Sequence, residues 1–245
     1  MKNSIIITVL LFTLSVSSQN CNNNLYGNFK VVGKSMYTSF TFDANGKVAI
    51  APFTKINANY FHRNDSLFVY PDKGLLIFKI INSKTLKGVG KWTKDVLWVK
   101  NINKTVVNNR KNNKKAHTQA QLLSTFYNLQ KAHSKTSLLT YTKNNVSQYN
   151  NLCEQNVVQS CMLLLKREQA ISKLEKLLKQ NTKTNTTLIN YAKQAFILGN
   201  YDAYAHLGAY YISINKKQKG ITYLKKAYNK GSAKAFNMLI DLDLL

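Results

Sequence analysis

The sequence predicts an α+β protein of two parts, an N-terminal antiparallel β-meander or small barrel and a C-terminal α-solenoid of helix pairs. Three observations carry this. Apolar and polar residues alternate with a period of two in the first hundred residues. The period becomes helical from about residue 118. A local pattern then recurs along the second half of the chain. At 245 residues, 44% of them apolar, there is material for one or two cores.

The chain begins as an export signal would. Lys2 supplies a positive start, Ile5 to Leu14 form an apolar run, and Val16-Ser17-Ser18 offers a small-residue cleavage site, so residues 1–18 read as a signal peptide. The run is shorter than the roughly 20 apolar residues of a bilayer span. The residues before Cys21, Gln19 and Asn20, are not the small ones a lipid-anchor site requires, so Cys21 reads as a lone thiol. The expected location is periplasmic or extracellular, in a bacterium.

Residues 19–103 form the expected β domain. Phe40 and Phe42 continue an alternation begun by Met36 and Thr38, and Val48 and Ile50 resume it after Asn45-Gly46, the strongest short hairpin signal available. Turn signals at Asn64-Asp65, Asp72-Lys73-Gly74, Asn82-Ser83 and Lys94-Asp95 separate strands expected near 57–62, 66–70, 75–81, 85–92 and 95–100. Short strands with local turns favour a meander, closed or partly closed. Leu25-Tyr26-Gly27, and Leu86-x-Gly88 with Trp92 and Trp98, are similar to the ends of lipocalin-like bacterial domains. The motifs are too short to imply a ligand.

Residues 104–117 are polar and basic, and read as a linker. Arg110, Lys111, Lys114 and Lys115 are candidates for contact with an anionic surface, set against the plainer role of a solvated run. From 118 to 245 the pattern is helical. Leu122, Leu123, Phe126, Tyr127 and Leu129 make one apolar face, and Leu138, Leu139, Val146, Tyr149 and Leu152 a second. Ile171, Leu174, Leu177 and Leu178 make a third apolar stripe. No proline follows Pro71 to break these helices.

Three stretches share one plan: a helix end, a tight polar or glycine turn, and a new apolar helix. They start at Leu152, Ala195 and Ala227. Each holds a matched pair eight residues apart, namely Cys153 with Cys161, Phe196 with Tyr204, and Tyr228 with Phe236. A turn that folds back would bring each pair together, by ring packing in two cases. A disulfide between Cys153 and Cys161 would do it in the third, in an oxidising compartment. The spacing is not Cys-x-x-Cys, which favours a staple over a redox pair.

Ala203, Leu207-Gly208 and Tyr210, then Lys226-Ala227 and Gly231, then Ala235 and Leu239, resemble Sel1-like (TPR-like) repeats over about residues 195–243, and less closely back to about 150. The Cys-x7-Cys pair resembles the cysteine-rich Sel1 proteins secreted by some bacteria, in which such pairs staple adjacent repeats. This chain departs from them in having a single pair, and Ser213-Ile214-Asn215-Lys216 in place of a glycine-rich loop.

The formal charge is +25: +1 from Lys2, +8 over residues 19–103, +5 over 104–117 and +11 over 118–245. So diffuse an excess favours anionic partners in general and gives no footprint for specific nucleic acid. His62, His117, His133 and His206 lie far apart with no ligand spacing, so no metal is expected. No catalytic motif, phosphate loop or cofactor signature is present. The leading expectation is an exported, non-catalytic module that binds a protein or peptide on a helical-repeat surface. A basic protein that binds an anionic envelope component is the alternative. The Sel1 resemblance also implies weak binding or hydrolysis of β-lactams, for which no nucleophile and base stand out.

Overall fold

The computed structural model describes residues 21–22, 25–52, 57–71, 74–103, 113–132, 137–178 and 184–244. The expected signal peptide, with Arg110 and Lys111, lies outside them. Nine strands come first: β1 (Cys21–Asn22), β2 (Tyr26–Val32), β3 (Ser39–Asp43), β4 (Lys47–Ala51), β5 (Asn57–Arg63), β6 (Ser66–Tyr70), β7 (Leu76–Asn82), β8 (Thr85–Gly88) and β9 (Leu97–Lys100). Seven helices follow among the described residues: α1 (Asn113–Ala132), α2 (Leu138–Glu154), α3 (Val158–Leu177), α4 (Thr186–Ile197), α5 (Asp202–Ser213), α6 (Lys217–Asn229) and α7 (Ala233–Ile240). The chain is α+β in two parts, as its patterning indicates.

Strands β2 to β9 pair antiparallel in chain order, and β9 returns to β2, so the meander closes into an eight-stranded barrel. β1 adds to the end of β5. Closure removes exposed edges. The β3–β4 hairpin turns through Ala44-Asn45-Gly46, with positive φ at Ala44 and Gly46 and not at Asn45, and the Asp43 carboxylate accepts the backbone N–H groups of Asn45 and Lys47 at 2.7 and 2.9 Å. Met36 and Thr38 precede β3 and face water, so the alternation there begins only at Phe40. β8 stops at Gly88, short of the expected 92. A Cβ at Gly88 would lie 1.8 Å from the Thr93 carbonyl oxygen, so the chain turns back tightly on itself there.

The barrel interior is filled by side chains. Phe29, Phe40, Phe42, Tyr60, Phe78 and Trp98 are fully buried within it. Phe40 meets Phe78 and Trp98 edge-on with ring centroids 5.1 and 5.6 Å apart. The Trp98 indole N–H donates to the Tyr37 carbonyl at 3.2 Å, which satisfies its one polar atom.

The outer face of β5 and β6 is buried too. Phe61, Phe68 and Tyr70 point away from the barrel axis and join one core with Leu123, Phe126 and Tyr149 of the helices. Both faces of β6 are therefore apolar, which explains why Leu67 to Tyr70 read as a continuous run instead of alternating. Arg63 fastens the joint: its guanidinium sits 5.7 Å from the ring centres of both Phe68 and Tyr127 and donates to Asn128 Oδ1 at 3.1 Å. α1 begins at Asn113, five residues before the expected onset, and places Lys114 and Lys115 in its first turn.

Each helix from α2 onward packs on the next in the chain. Four of their junctions, and the end of α7, repeat one turn. Three residues after Cys153, Phe196, Ile212, Tyr228 and Ile240 in turn, the backbone takes positive φ, at Asn156, Gly199, Asn215, Gly231 and Asp243. The next N–H reaches back to the helix, as Val157 does to the Leu152 carbonyl, Asn200 to Ala195, Lys216 to Tyr211 and Ser232 to Ala227, each at 2.9–3.0 Å. This is the Schellman closure, which caps the orphan carbonyls of a helix end.

The third expected stripe is corrected. Leu174, Leu177 and Leu178 are exposed, and α3 instead buries Cys161, Met162, Leu164 and Leu165. The next helix, α4, starts only at Thr186, and from the end of α3 Lys176 Nζ donates to the Ser213 carbonyl of α5 at 2.7 Å.

Candidate functional site

The matched pairs meet as their spacing requires. Cys153 and Cys161 form a disulfide across the α2–α3 turn, with Cα atoms 4.8 Å apart. Phe196 and Tyr204 stack at 3.7 Å across α4–α5, and Tyr228 and Phe236 at 6.0 Å across α6–α7. A fourth pair at the same separation escaped sequence reading because it is not aromatic. Ile212 and Gly220 flank the α5–α6 turn, and a Cβ on Gly220 would lie 2.6 Å from Ile212 Cγ1. The two glycines Gly208 and Gly220 let α5 and α6 cross in backbone contact: a Cβ at Gly208 would lie 2.9 Å from the Gly220 carbonyl oxygen. Ala203, Leu207, Tyr210, Ala227, Ala235 and Leu239 are all buried, so these positions hold the packing together. The Tyr210 hydroxyl accepts the Asn185 backbone N–H at 2.5 Å. Lys226 and Gly231 are exposed, with the Lys226 ammonium 5.8 Å from the centre of the Tyr223 ring.

A second surface lies at the outer end of the helical part. Tyr228, Phe236 and Ile240 are 39%, 42% and 48% exposed, on the last two helices. Lys225, Lys226 and Lys230, near Tyr228 in the chain, are exposed, as are Asp241 and Asp243 after Ile240; Lys217 and Lys219 are exposed at the other end of α6. The α6 helix carries no acidic residue, so every charged side chain on it is cationic.

Between the barrel rim and the corners of the helix hairpins lies a cleft of about 270 Å³. The barrel contributes Lys47, Asn59, Tyr70, Pro71 and Leu75. The α2–α3 corner contributes Val158, Gln159 and Met162, and the α4–α5 corner Leu198, Gly199 and Asn200. Lys166 of α3 and Phe126 of α1 complete the wall. Lys47 Nζ donates to Asn59 Oδ1 at 2.5 Å, and desolvation pulls this ammonium below its ordinary pKa, with Asp43 acting in the opposite sense. Burial pushes the Tyr70 phenol well above its ordinary pKa, so it is a neutral donor at any physiological pH. None of these residues could be found from sequence alone. They come from segments as distant as Lys47 and Asn200, and only the docking of helices on barrel brings them together.

Of the histidines, His62 lies on β5, where burial lowers its pKa from 6.5 and a backbone hydrogen bond at Asn64 partly offsets this. His206 pairs its Nδ1 with Gln169 Oε1 at 2.7 Å. No three His, Cys, Asp or Glu side chains converge among the described residues. No described helix is long and apolar enough to cross a membrane.

No family model matches this chain, and neither the curated proteins nor the solved structures contain a significant match.

Proposed function

We propose that this is an exported, non-catalytic binding protein whose helical half, a stack of Sel1-type helix pairs, takes an acidic protein segment with apolar anchors. One observation carries the reading. Tyr228, Phe236 and Ile240 remain exposed, and Lys225, Lys226 and Lys230, within three residues of Tyr228 in the chain, are exposed too. Aromatic side chains are the usual anchors of such contacts, and a cationic surround selects acidic partners and speeds their encounter. The export signal and the Cys153–Cys161 pair support a compartment outside the cytoplasm.

The test is binding of fluorescent acidic peptides with and without interspersed leucines, at low and high salt. The expected result is that leucine-bearing peptides persist at high salt and lose about tenfold in affinity, or 1.4 kcal/mol, when Tyr228 and Phe236 are both changed to Ala. Equal binding of wholly polar acidic peptides, lost at high salt, would replace this reading with general polyanion binding.

A further inference from the structure

We infer that the barrel docks on an anionic lipid bilayer through its β2–β9 corner, with Trp92 and Met36 entering the headgroup layer and Lys34, Lys91 and Lys94 meeting lipid phosphates. None of these residues belongs to the Tyr228 and Phe236 surface, so the inference stands apart from the proposed function.

Topology brings two loops together at this corner. Val32 at the end of β2 pairs with Leu97 at the start of β9. Residues 33–38 leave from the first and residues 89–96 arrive at the second, so the two loops lie side by side at one end of the barrel. Around the ring, two strands on either side separate the β2–β9 seam from β5 and β6. The seam therefore faces away from the helices, which pack on those two strands.

Each loop presents an exposed apolar side chain beside a fixed anchor. Met36 is 59% exposed, and the next residue, Tyr37, accepts the Trp98 indole N–H on its carbonyl and donates its own N–H to Ser35 Oγ, both at 3.2 Å. Trp92 is also 59% exposed, and the next residue, Thr93, is fully buried and donates its hydroxyl to the Ile77 carbonyl at 3.2 Å. The Gly88 and Asp95 N–H groups close the second loop on the Val96 and Gly88 carbonyls at 2.8 and 2.9 Å. The backbone thus fixes both apolar side chains outward. Val32 and Leu97 on the outer face of the seam are exposed too, and extend the patch.

Charge and composition select the occupant. Lys34, Lys91 and Lys94 are exposed within two residues of Met36 or Trp92 in the chain, and the Lys91 ammonium lies 5.9 Å from the centre of the Trp92 ring. The one acidic group in the two loops is Asp95, which pairs with Lys87 at 3.4 Å. Asp43 and Asp65 stand at the turns of the opposite barrel end. Protein–protein interfaces are rich in Trp and Met but poor in Lys. The membrane–water interface takes Trp and Lys together, the ring among the headgroups and the ammonium against anionic lipid. A fixed patch of Trp, Met and three lysines fits the bilayer and not a protein partner.

The experiment mixes the mature full chain with vesicles of equimolar phosphatidylglycerol and phosphatidylcholine, or of phosphatidylcholine alone, and reads sedimentation and tryptophan fluorescence. The chain has two tryptophans, and Trp98 is buried in the barrel, so a change on binding reports Trp92. Binding to the anionic vesicles is expected, with a blue-shifted emission and quenching by lipids brominated near the headgroup. The Trp92→Ala, Met36→Ser variant should bind about tenfold or more weakly, and so should Lys91→Gln with Lys94→Gln, since each lysine near an anionic surface contributes about fivefold. Melting temperatures should stay at the wild-type value, because all four side chains are exposed. The Tyr228→Ala, Phe236→Ala double variant should bind the vesicles as the wild type does. Three results would each overturn the inference. One is no binding to the anionic vesicles, or equal binding to the neutral ones. Another is binding with unshifted emission and undiminished affinity in Trp92→Ala, Met36→Ser, the mark of general adsorption by a basic chain. The third is self-association of the lipid-free chain that the same variant abolishes, which would make the patch a contact between copies.

Discussion

Replacing Gly208 by Ala sets two opposed effects against each other, and the structure decides between them. In an isolated helix the change would stabilise α5 by about 1 kcal/mol, because alanine has the higher helix propensity. In the folded protein a Cβ at this position would lie 2.8 Å from Leu224 Cγ and 2.9 Å from the Gly220 carbonyl oxygen. The first neighbour is a side chain that can rotate. The second is backbone of α6 and can retreat only if the helices separate. Overpacking of this kind costs about 1–3 kcal/mol, and a backbone obstacle puts it near the upper end. The net loss is then about 2 kcal/mol. For a chain of this size, about 2–4 °C of melting temperature accompanies each kcal/mol, so a fall of about 4–8 °C is expected by circular dichroism. Gly220→Ala faces the reciprocal obstacle, 2.7 Å from the Gly208 carbonyl oxygen, and should behave alike. The double variant should lose less than the sum, because both methyl groups push the same helices apart. A melting temperature equal to or above wild type in Gly208→Ala would refute the close crossing.

Three further outcomes are expected. Changing Cys153 and Cys161 together to Ala opens a loop of sequence separation eight and should lower stability by about 2.5 kcal/mol or less, measured by urea unfolding in oxidising buffer. Equal stability of the variant and the oxidised wild type would show that the bond adds nothing. Because burial depresses the folded-state pKa of His62 below its unfolded 6.5, the unfolded chain binds the extra proton first. Stability is thus full above about pH 6.5 and declines as pH falls from there through the folded pKa. His62→Gln should flatten that slope, and an unchanged slope would assign it to other groups. Asn215 holds φ at 61° at the α5–α6 turn where the equivalent turns carry Gly199 and Gly231, so Asn215→Gly should gain a few tenths of a kcal/mol in the same urea assay. A loss would mean that the side chain of Asn215 contributes more than its backbone strain costs.

Much of the fold was legible because it rests on local chemistry. The hairpin at Asn45-Gly46 is set by positive φ at Gly46 and by the Asp43 carboxylate, all within five residues. The pairs at Cys153, Phe196 and Tyr228 announce helix turns because a Schellman closure places residues eight apart side by side. The same rule hid the Ile212–Gly220 junction, where the partner is a missing side chain and composition gives no signal. The leucines at 174, 177 and 178 show the converse error. Periodicity reports that a helix has an apolar stripe, and not whether another element arrives to cover it.

The sequence by itself determined the two-part α+β plan, most of the hairpins and the turn that joins the helices, since each depends on residues within a few positions of one another, whereas closure of the barrel rests on the distant pairing of β2 with β9. Only the tertiary structure decided that Phe61 of β5 and Phe68 and Tyr70 of β6 face outward to carry the helices. It likewise decided that Tyr70, Gln159 and Asn200 surround one cleft. Those residues are not neighbours in the chain. Their meeting depends on how the helical part docks against the barrel wall, which is set by the packing of Phe61, Phe68, Phe126 and Tyr149. Packing between distant surfaces has no period along the sequence, so no reading of residues in order could display it.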